Sequence, residues 1–397
     1  MTAFSDKSYL AIKAQSVATT PVIATHFVPL ISESIRENPN FAADRRMKGL
    51  AWKSDELLKG PKQWEGSLEI YADPDSLGHF LNMIYAKGTT TGDAANGYTH
   101  PFTVGDGKSY SIEIPRGIYA ERLYGVRGSN LKFSFEDNKM KLSLTIKALG
   151  KFYTRSLAVA LTGAGMTTAV LSTESGLRPC DGLCVGDVMN VGGVDVTILT
   201  VPAGGTSFTF ASTAITAAIG DPVYLKAQTP SFTNLKEPFY FGETLVGMAA
   251  TSALADTAAA SRATATPCAE VGLELDNALD AEPGSGYAGP SVLLNGVYSA
   301  SLNLKRLFST PQDYQKWVEI VKQAVTIIST GRYIKTDLTT SELLTIKMNK
   351  IKLLTHEEPL EVGNYIYDNQ TFEVLHDAGD GAAIAISLIN RSPSTDY

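Results

Sequence analysis

Alternation of apolar and polar positions dominates the chain. Over 67–71, Leu68 and Ile70 point one way while Ser67, Glu69 and Tyr71 point the other, the two-residue period of a strand with one buried face. The same period predicts strands at 110–114, 123–126, 131–135 and 142–146. Asp137-Asn138 between the last two suits a hairpin turn. A helical period appears after Asp73-Pro74, an N-cap followed by proline at the first helical position. Leu77, Phe80, Leu81, Ile84 and Tyr85 share one face of that predicted helix. His79 falls on another face, where a solvated or paired histidine is expected. Residues 88–97 read as a flexible turn.

The flanking segments differ in pattern. Residues 1–35, with Pro21, Pro29 and β-branched residues at 17–20, read as a mostly extended N-terminal arm. Residues 36–62 carry eleven charged residues from Arg36 to Lys62 and read as a long exposed loop. Between 156 and 230 charges thin out and Gly, Thr, Val and Ala take over. Strands at 185–191, 194–200, 207–211 and 223–225, separated by Gly193, 202–205 and 220–222, predict a small all-β domain inserted into the surrounding pattern. Residues 249–267 are small and weakly patterned and read as a loop.

The first pattern then recurs. An alternating strand at 299–304 is followed by Thr310-Pro311, again a polar cap and a proline. Tyr314, Trp317, Val318 and Val321 match Leu77, Phe80, Leu81 and Ile84 at a constant offset of 237. Strands follow at 343–348, 351–354, 371–375 and 382–389. Order and spacing together indicate duplication. The predicted fold is mainly β, with two similar β-sandwich or barrel modules, each flanked by one α-helix, plus the inserted domain. The domain reading is an arm at 1–35, a first module at 36–155 containing the loop 36–62, an insertion at 156–230, and a second module at 231–397.

Composition narrows the function. Of 397 residues, 44% are hydrophobic and 19% charged, enough for a packed core. With 34 basic and 41 acidic residues the net charge is −7, which argues against a protein that grips nucleic acid by its phosphates. Three cysteines, Cys180, Cys184 and Cys268, suggest a reducing compartment. The most apolar stretches, 157–161 and 246–250, are too short to span a bilayer, so a soluble protein made in a cytoplasm is expected.

Catalytic signatures do not emerge. The five histidines (His26, His79, His100, His356 and His376) fall in no metal-ligand spacing. Cys180 and Cys184 form a C-x3-C with no second half-site, which favours structural thiols; a disulfide within that loop is the alternative. Gly163-Ala164-Gly165 lacks the rest of a phosphate loop and reads as a turn. No GxSxG is present, and the acid pairs Glu357-Glu358 and Asp377/Asp380 read as solvated loop charge. No catalytic, cofactor-binding or metal-binding residue is assigned, and no cofactor is expected.

Several segments resemble the major tail tube proteins of long-tailed bacteriophages. They are HFVPLISESIRENPNF from His26, GSLEIYADPDSLGHFLNMIYA from Gly66, YTHPFTVGDGKSYSIEIPRG from Tyr98 and LYGVRGSNLKFSFEDNKMKLSLTIKALGK from Leu123, with SASLNLKRLFSTPQDYQKWVEIV, LLTIKMNKIKLLTHEEPLEVGNYIYDNQTFEVLHD and AIAISLINRS in the second half. The resemblance covers 1–155 and 231–397; the 156–230 segment departs from it. It implies a structural virion protein and no enzyme. Such proteins close rings of six β-modules and stack them into the hollow tail tube, the conduit for DNA ejection.

With two modules per chain, the resemblance implies a trimeric ring of pseudo-sixfold symmetry, or a homohexamer if the halves are not equivalent. Implied partners are further copies, the tape-measure protein, the tail terminator and baseplate or tail-tip proteins. DNA passes transiently and no membrane is involved. The arm 1–35 and loop 36–62 are expected to contact adjacent rings, and the insertion to decorate the outer surface. The implied location is the virion tail, assembled in the host cytoplasm. Alternatives are another tail or capsid component (a tail terminator, a baseplate hub or a decoration protein) and an enzyme or carbohydrate-binding β protein. The last is disfavoured because 156–230 offers Tyr224 and no tryptophan for stacking.

Overall fold

A computed structural model describes residues 9–40, 42–43, 57–58, 60–173, 178–202, 204–232, 236–286, 288–307, 312–334, 340–358, 366–379, 382–393 and 397. Strands dominate it. The N-terminal part holds β1 (Tyr9–Ala14), β2 (His26–Pro29), β3 (Ser32–Glu33), β4 (Arg36–Asn38), β5 (Ala42–Ala43), β6 (Leu57–Leu58) and β7 (Gln63–Tyr71). Helix α1 (Pro74–Ile84) follows, then β8 (Ala86–Lys87), β9 (Thr91–Asp93), β10 (Gly97–Thr103), β11 (Tyr110–Pro115), β12 (Ala120–Glu136), β13 (Lys139–Ala148) and β14 (Gly150–Phe152).

The middle part holds β15 (Arg155–Ser156), β16 (Leu161–Val170), β17 (Val188–Val191), β18 (Val194–Thr200), β19 (Ser207–Ala217) and β20 (Pro222–Leu225). The last part holds β21 (Thr244–Ala249), α2 (Ser252–Ala259), β22 (Cys268–Asp276), β23 (Asp280–Pro283), β24 (Pro290–Leu294), β25 (Ser299–Leu307), α3 (Gln312–Val318), β26 (Gln323–Tyr333), β27 (Ser341–Glu357), β28 (Tyr367–Val374) and β29 (Ile384–Asn390).

Local chemistry explains the clearest elements. Leu68 and Ile70 of β7 are fully buried, as their alternation requires. Asp73 caps α1 by accepting from the backbone N–H of Asp75 and Ser76 at 3.1 and 2.9 Å. Asp137 and Asn138 both have positive φ, 49° and 65°. That left-handed pair is the geometry a two-residue hairpin needs between twisted strands, and it joins Glu136 to Lys139 across β12 and β13.

One pairing order occurs twice. In the first part β7 pairs with β13, β13 with β12, and β12 with β11 and β14. In the last part β25 pairs with β28, β28 with β27, and β27 with β26 and β29. Strand β1 lies against β11 as β21 lies against β26. Strands β7 and β25 are each nine residues long, and β12 and β27 are each seventeen. Each long strand carries a β-bulge where it passes from one set of neighbours to the other. The ladder skips Ser129 in β12 and Leu354 in β27. One apolar core runs through both parts, from Leu10 and Leu68 to Phe372 and Leu388.

Several expectations are corrected. From Tyr9 on, the expected arm is part of the core: Leu10, Ile12 and Val28 are fully buried because β1 pairs with both β2 and β11. The expected loop 36–62 begins in strand, since Arg36–Asn38 pairs with β7, and contains the short β5–β6 pair; most of its middle lies outside the described residues. The expected turn at 88–97 contains β9, paired with β10.

The 249–267 segment contains α2, capped by the Thr251 hydroxyl. It packs through Ala255 and Ala259 against Gly247, where an added Cβ would stand 2.1 Å from the Ala255 carbonyl oxygen. The offset of 237 does not carry through. Helix α3 ends at Val318, Val321 lies beyond it, and 323–333 is strand β26 rather than a gap.

Residues 156–230 contain a separate six-stranded sheet, ordered β15-β20-β17-β18-β19-β16. Its core of Leu161, Met189, Phe208, Phe210 and Val223 is completed by Ala120 and Phe152 from β12 and β14. Gly163-Ala164-Gly165 is no turn between strands. It is an irregularity inside β16, where the register against β19 shifts and both glycines have positive φ.

Candidate assembly surface

Strands continue across the molecule through β22. This strand takes β25 on one side and the second half of β12 on the other, with Asn130 opposite Asp276 and Phe133 opposite Leu273. The side chains reinforce the junction. Asn277 Nδ2 donates to Gly128 O at 2.9 Å and Asn130 Nδ2 to Glu274 Oε1 at 2.7 Å. The β23–β24 hairpin extends the contact: Leu279, Ala281 and Leu293 cover Tyr124 and Leu149, and Lys147 Nζ donates to Leu279 O at 2.7 Å. The result is one sheet of eight strand positions, β3/β4–β7–β13–β12–β22–β25–β28–β27.

Both ends of that sheet are open among the described residues. Beyond its bulge, β27 presents Thr355, His356 and Glu357, which pair with β28 on one side only. The corresponding stretch of β12 carries β22. At the other end, Ser32–Glu33 and Arg36–Asn38 pair with β7 alone, where the corresponding β22 is paired on both sides. Unpaired strand edges are templates for another strand.

The two equivalent helices differ in the same sense. Every side chain of α1 is buried, between β12 on one side and β27 and β29 on the other. Helix α3 packs on β27, and its Tyr314 and Val318 are 54% and 58% exposed. They were expected to form an apolar face like that of α1. The residues are apolar, but nothing among the described residues covers them. Exposed Leu307, Ile320 and Leu354 belong to the same part of the fold.

Polar residues underlie α3. His356 Nδ1 stands 2.7 Å from Asp368 Oδ1, and Nε2 stands 3.0 Å from Glu358 Oε1. Arg306 reaches Asp368 at 3.4 Å and Gln370 donates to it at 2.6 Å. Tyr314 and Trp317 ring the imidazole, with centroids 6.1 and 6.5 Å away, and the Trp317 indole N–H donates to Leu354 O at 2.9 Å. Ile70, Leu131 and Leu142, all buried, hold the matching places in the first part. Glu357 thus closes a strand and Glu358 faces a histidine, in place of the loop charges expected. Asp377 pairs with Lys322 at 2.6 Å, and Asp380 lies outside the described residues.

His26, His79 and His100 are packed within the fold, and His376 is exposed. His79 is 2% exposed, against the expectation of a solvated side chain. It is packed by His26, Tyr110 and Tyr397 at centroid distances of 4.6, 5.8 and 4.7 Å, and burial holds its pKa well below the ordinary value. His100 Nε2 lies 3.0 Å from both Asn390 Oδ1 and Ser392 O. Cys180 and Cys184 are free thiols pushed up to about 11 by burial, which disfavours the thiolate.

The insertion is clamped to the first part by buried charge. Arg122, 1% exposed, grips Asp187 with bonds of 2.5 and 2.8 Å, and also reaches Glu113 at 3.1 Å and Gly182 O at 3.2 Å. Asp187 also accepts from the Cys184 backbone N–H at 2.7 Å. This bidentate geometry is the strong form of the pair.

Among the described residues, no group of three or more His, Cys, Asp or Glu could hold a metal ion. No helix among them is long and apolar enough to cross a membrane. A groove of about 470 Å³ beside Phe135, Phe241, Glu270 and Lys305 contains no histidine or cysteine. No family model matches the sequence, and no curated protein does.

Proposed function

We propose that this protein is a structural subunit that polymerises into a tube of the bacteriophage tail tube kind, with two tube modules in each chain. The observation that carries the reading is the repeated pairing order, joined into one eight-position sheet that is open at both ends. A sheet of this form completes its hydrogen bonds only against neighbours, and ring closure removes the edges altogether.

Under this reading the β12–β22 junction inside one chain is the pattern for the junction between chains. Three copies supply six modules and three times eight strands. At a spacing of about 4.8 Å and a tilt of about 40°, such a barrel measures roughly 45 Å between backbones, wide enough for a DNA duplex. The insertion packs on Ala120 at the start of β12 and on Phe152 of β14, outside the 127–136 stretch of β12 that pairs with β13 and β22, which favours a place on the outer wall. Tape-measure, terminator and baseplate proteins are the partners the reading brings with it, and the virion tail is the location.

Electron microscopy of the purified protein over a range of concentrations tests the reading. Rings with threefold and apparent sixfold symmetry, or hollow tubes, are the expected products. Monomers that persist under every condition, with tail partners present as well, would overturn it. Copy number separates a tube from a terminator or hub: very many subunits per particle against a few.

A further inference from the structure

The open edge of β27 has a specific complement. Strand β22 is held by β25 in one unbroken register from Glu270 to Asp276. Segments β3 and β4 are held by β7 in one register from Ser32 to Asn38. Superposing β25 on β7, both nine residues long, places Ser32–Asn38 where 270–276 lies. Superposing the two bulges, Leu354 on Ser129, places Thr355 where Asn130 lies.

We propose that β27 of one copy receives Arg36–Asn38 of a second copy as an antiparallel strand, with Asn38 opposite Thr355, Glu37 opposite His356 and Arg36 opposite Glu357. This rests on the tube reading and adds its partner strand and register. Three features support it beyond the superposition. First, the pairing matches faces: Arg36, Thr355 and Glu357 lie on the exposed side of their strands. Second, the charges complement, since Arg36 meets a glutamate; opposite charges directly across a ladder stabilise it and like charges do not. Third, exposed apolar groups cluster at the acceptor edge, with Tyr314, Val318 and Leu354, and Ile31 is exposed beside the donor. Solvent-exposed apolar clusters of this kind mark interaction surfaces. Their counterparts around α1 are already buried within the chain.

The two edges differ, so the contact is head-to-tail and repeats from copy to copy. The exposed face of α3 comes to lie against the first module of the second copy, as α1 lies against β27 and β29.

Charge reversal tests the register. R36E and E357R each place like charges across the ladder and are expected to cut the assembled fraction in pelleting and micrographs at least about tenfold. The R36E/E357R double variant restores it. Both side chains are exposed, so circular dichroism should show unchanged folds. In parallel, copies carrying Asn38→Cys are mixed with copies carrying Thr355→Cys under mild oxidation. A cross-linked dimer mapped to those two positions is expected, because opposed strand positions fall within disulfide reach. Hollow assemblies from the unaltered chain that neither single reversal weakens would overturn the register and leave the tube reading standing. If the unaltered chain forms no hollow assembly, the tube reading fails, and absence of the 38–355 cross-link then overturns the contact as well.

Discussion

Tyr397 lies against Gly78: a Cβ added to that glycine would stand 2.4 Å from the tyrosine Cζ. The ring is buried, its hydroxyl donates to Asp75 O at 3.0 Å, and Asn390 Nδ2 donates to the hydroxyl at 2.5 Å. Tyr397 therefore fastens the end of β29 to the first turn of α1. Gly78→Ala gains up to about 1 kcal/mol of helix propensity but drives a methyl into a packed ring, at a cost of about 1–3 kcal/mol. The clash is the larger effect, so the expected result is a lower denaturation midpoint in urea. Tyr397→Ala should destabilise by about 3–5 kcal/mol.

Removing the Asp187 charge takes away the bidentate half of the clamp and leaves Arg122 with Glu113 as its carboxylate partner. Asp187→Asn should destabilise the contact between the insertion and β12 by about 1.5–3 kcal/mol. Limited proteolysis checks this: cleavage near 178–187 should accelerate in the variant, while cleavage elsewhere stays unchanged.

Helix α2 depends on close approach. Gly247→Ala meets the Ala255 carbonyl oxygen and the Ala259 backbone nitrogen at 2.1 and 2.4 Å. Neither backbone atom can yield without moving the helix. Hydrogen exchange should rise across 252–260, and the Lys347–Asp256 pair at 2.6 Å should be lost.

The sequence signalled the elements whose burial is decided locally. Alternation at Leu68 and Ile70, the Asp73-Pro74 start and the Asp137-Asn138 turn each follow from a few neighbouring residues. Elements set by distant partners were hidden. His79 has the position of a surface residue on an isolated helix and is buried because His26, Tyr110 and Tyr397 close over it. Helix α2 has no stripe of large apolar residues, since it docks by small ones. Strand β26 begins where a helical pattern was being extended, although Val325 and Ile327 alternate. The open edges of β27 and β4 cannot be read from any local pattern, because they show only by contrast with the β12–β22 junction, which pairs across more than 100 residues.

Acid should weaken the fold through its buried imidazoles. Burial holds His79, and less strongly His100, below the ordinary histidine value. Above a pH of about 6.5 both are neutral, folded or unfolded. As the pH falls further the unfolded chain binds the protons first, so stability drops by up to about 1.4 kcal/mol per pH unit for each group. Lys87, Asp75 and His26 act electrostatically on one or both of these rings. Asp73 and Glu342, raised by burial, act in the opposite sense at lower pH. Thermal melts between pH 7 and pH 5 should show the decline, with a shallower slope in His79→Phe.

Each seventeen-residue strand, β12 and β27, changes neighbours partway along at its bulge. Neither layer can therefore detach alone, because the same backbone is a member of both. The insertion shares no such strand and has its own apolar cluster. Calorimetry should resolve two unfolding units: a large all-or-none transition for the paired modules and a smaller, separable one for residues 156–230.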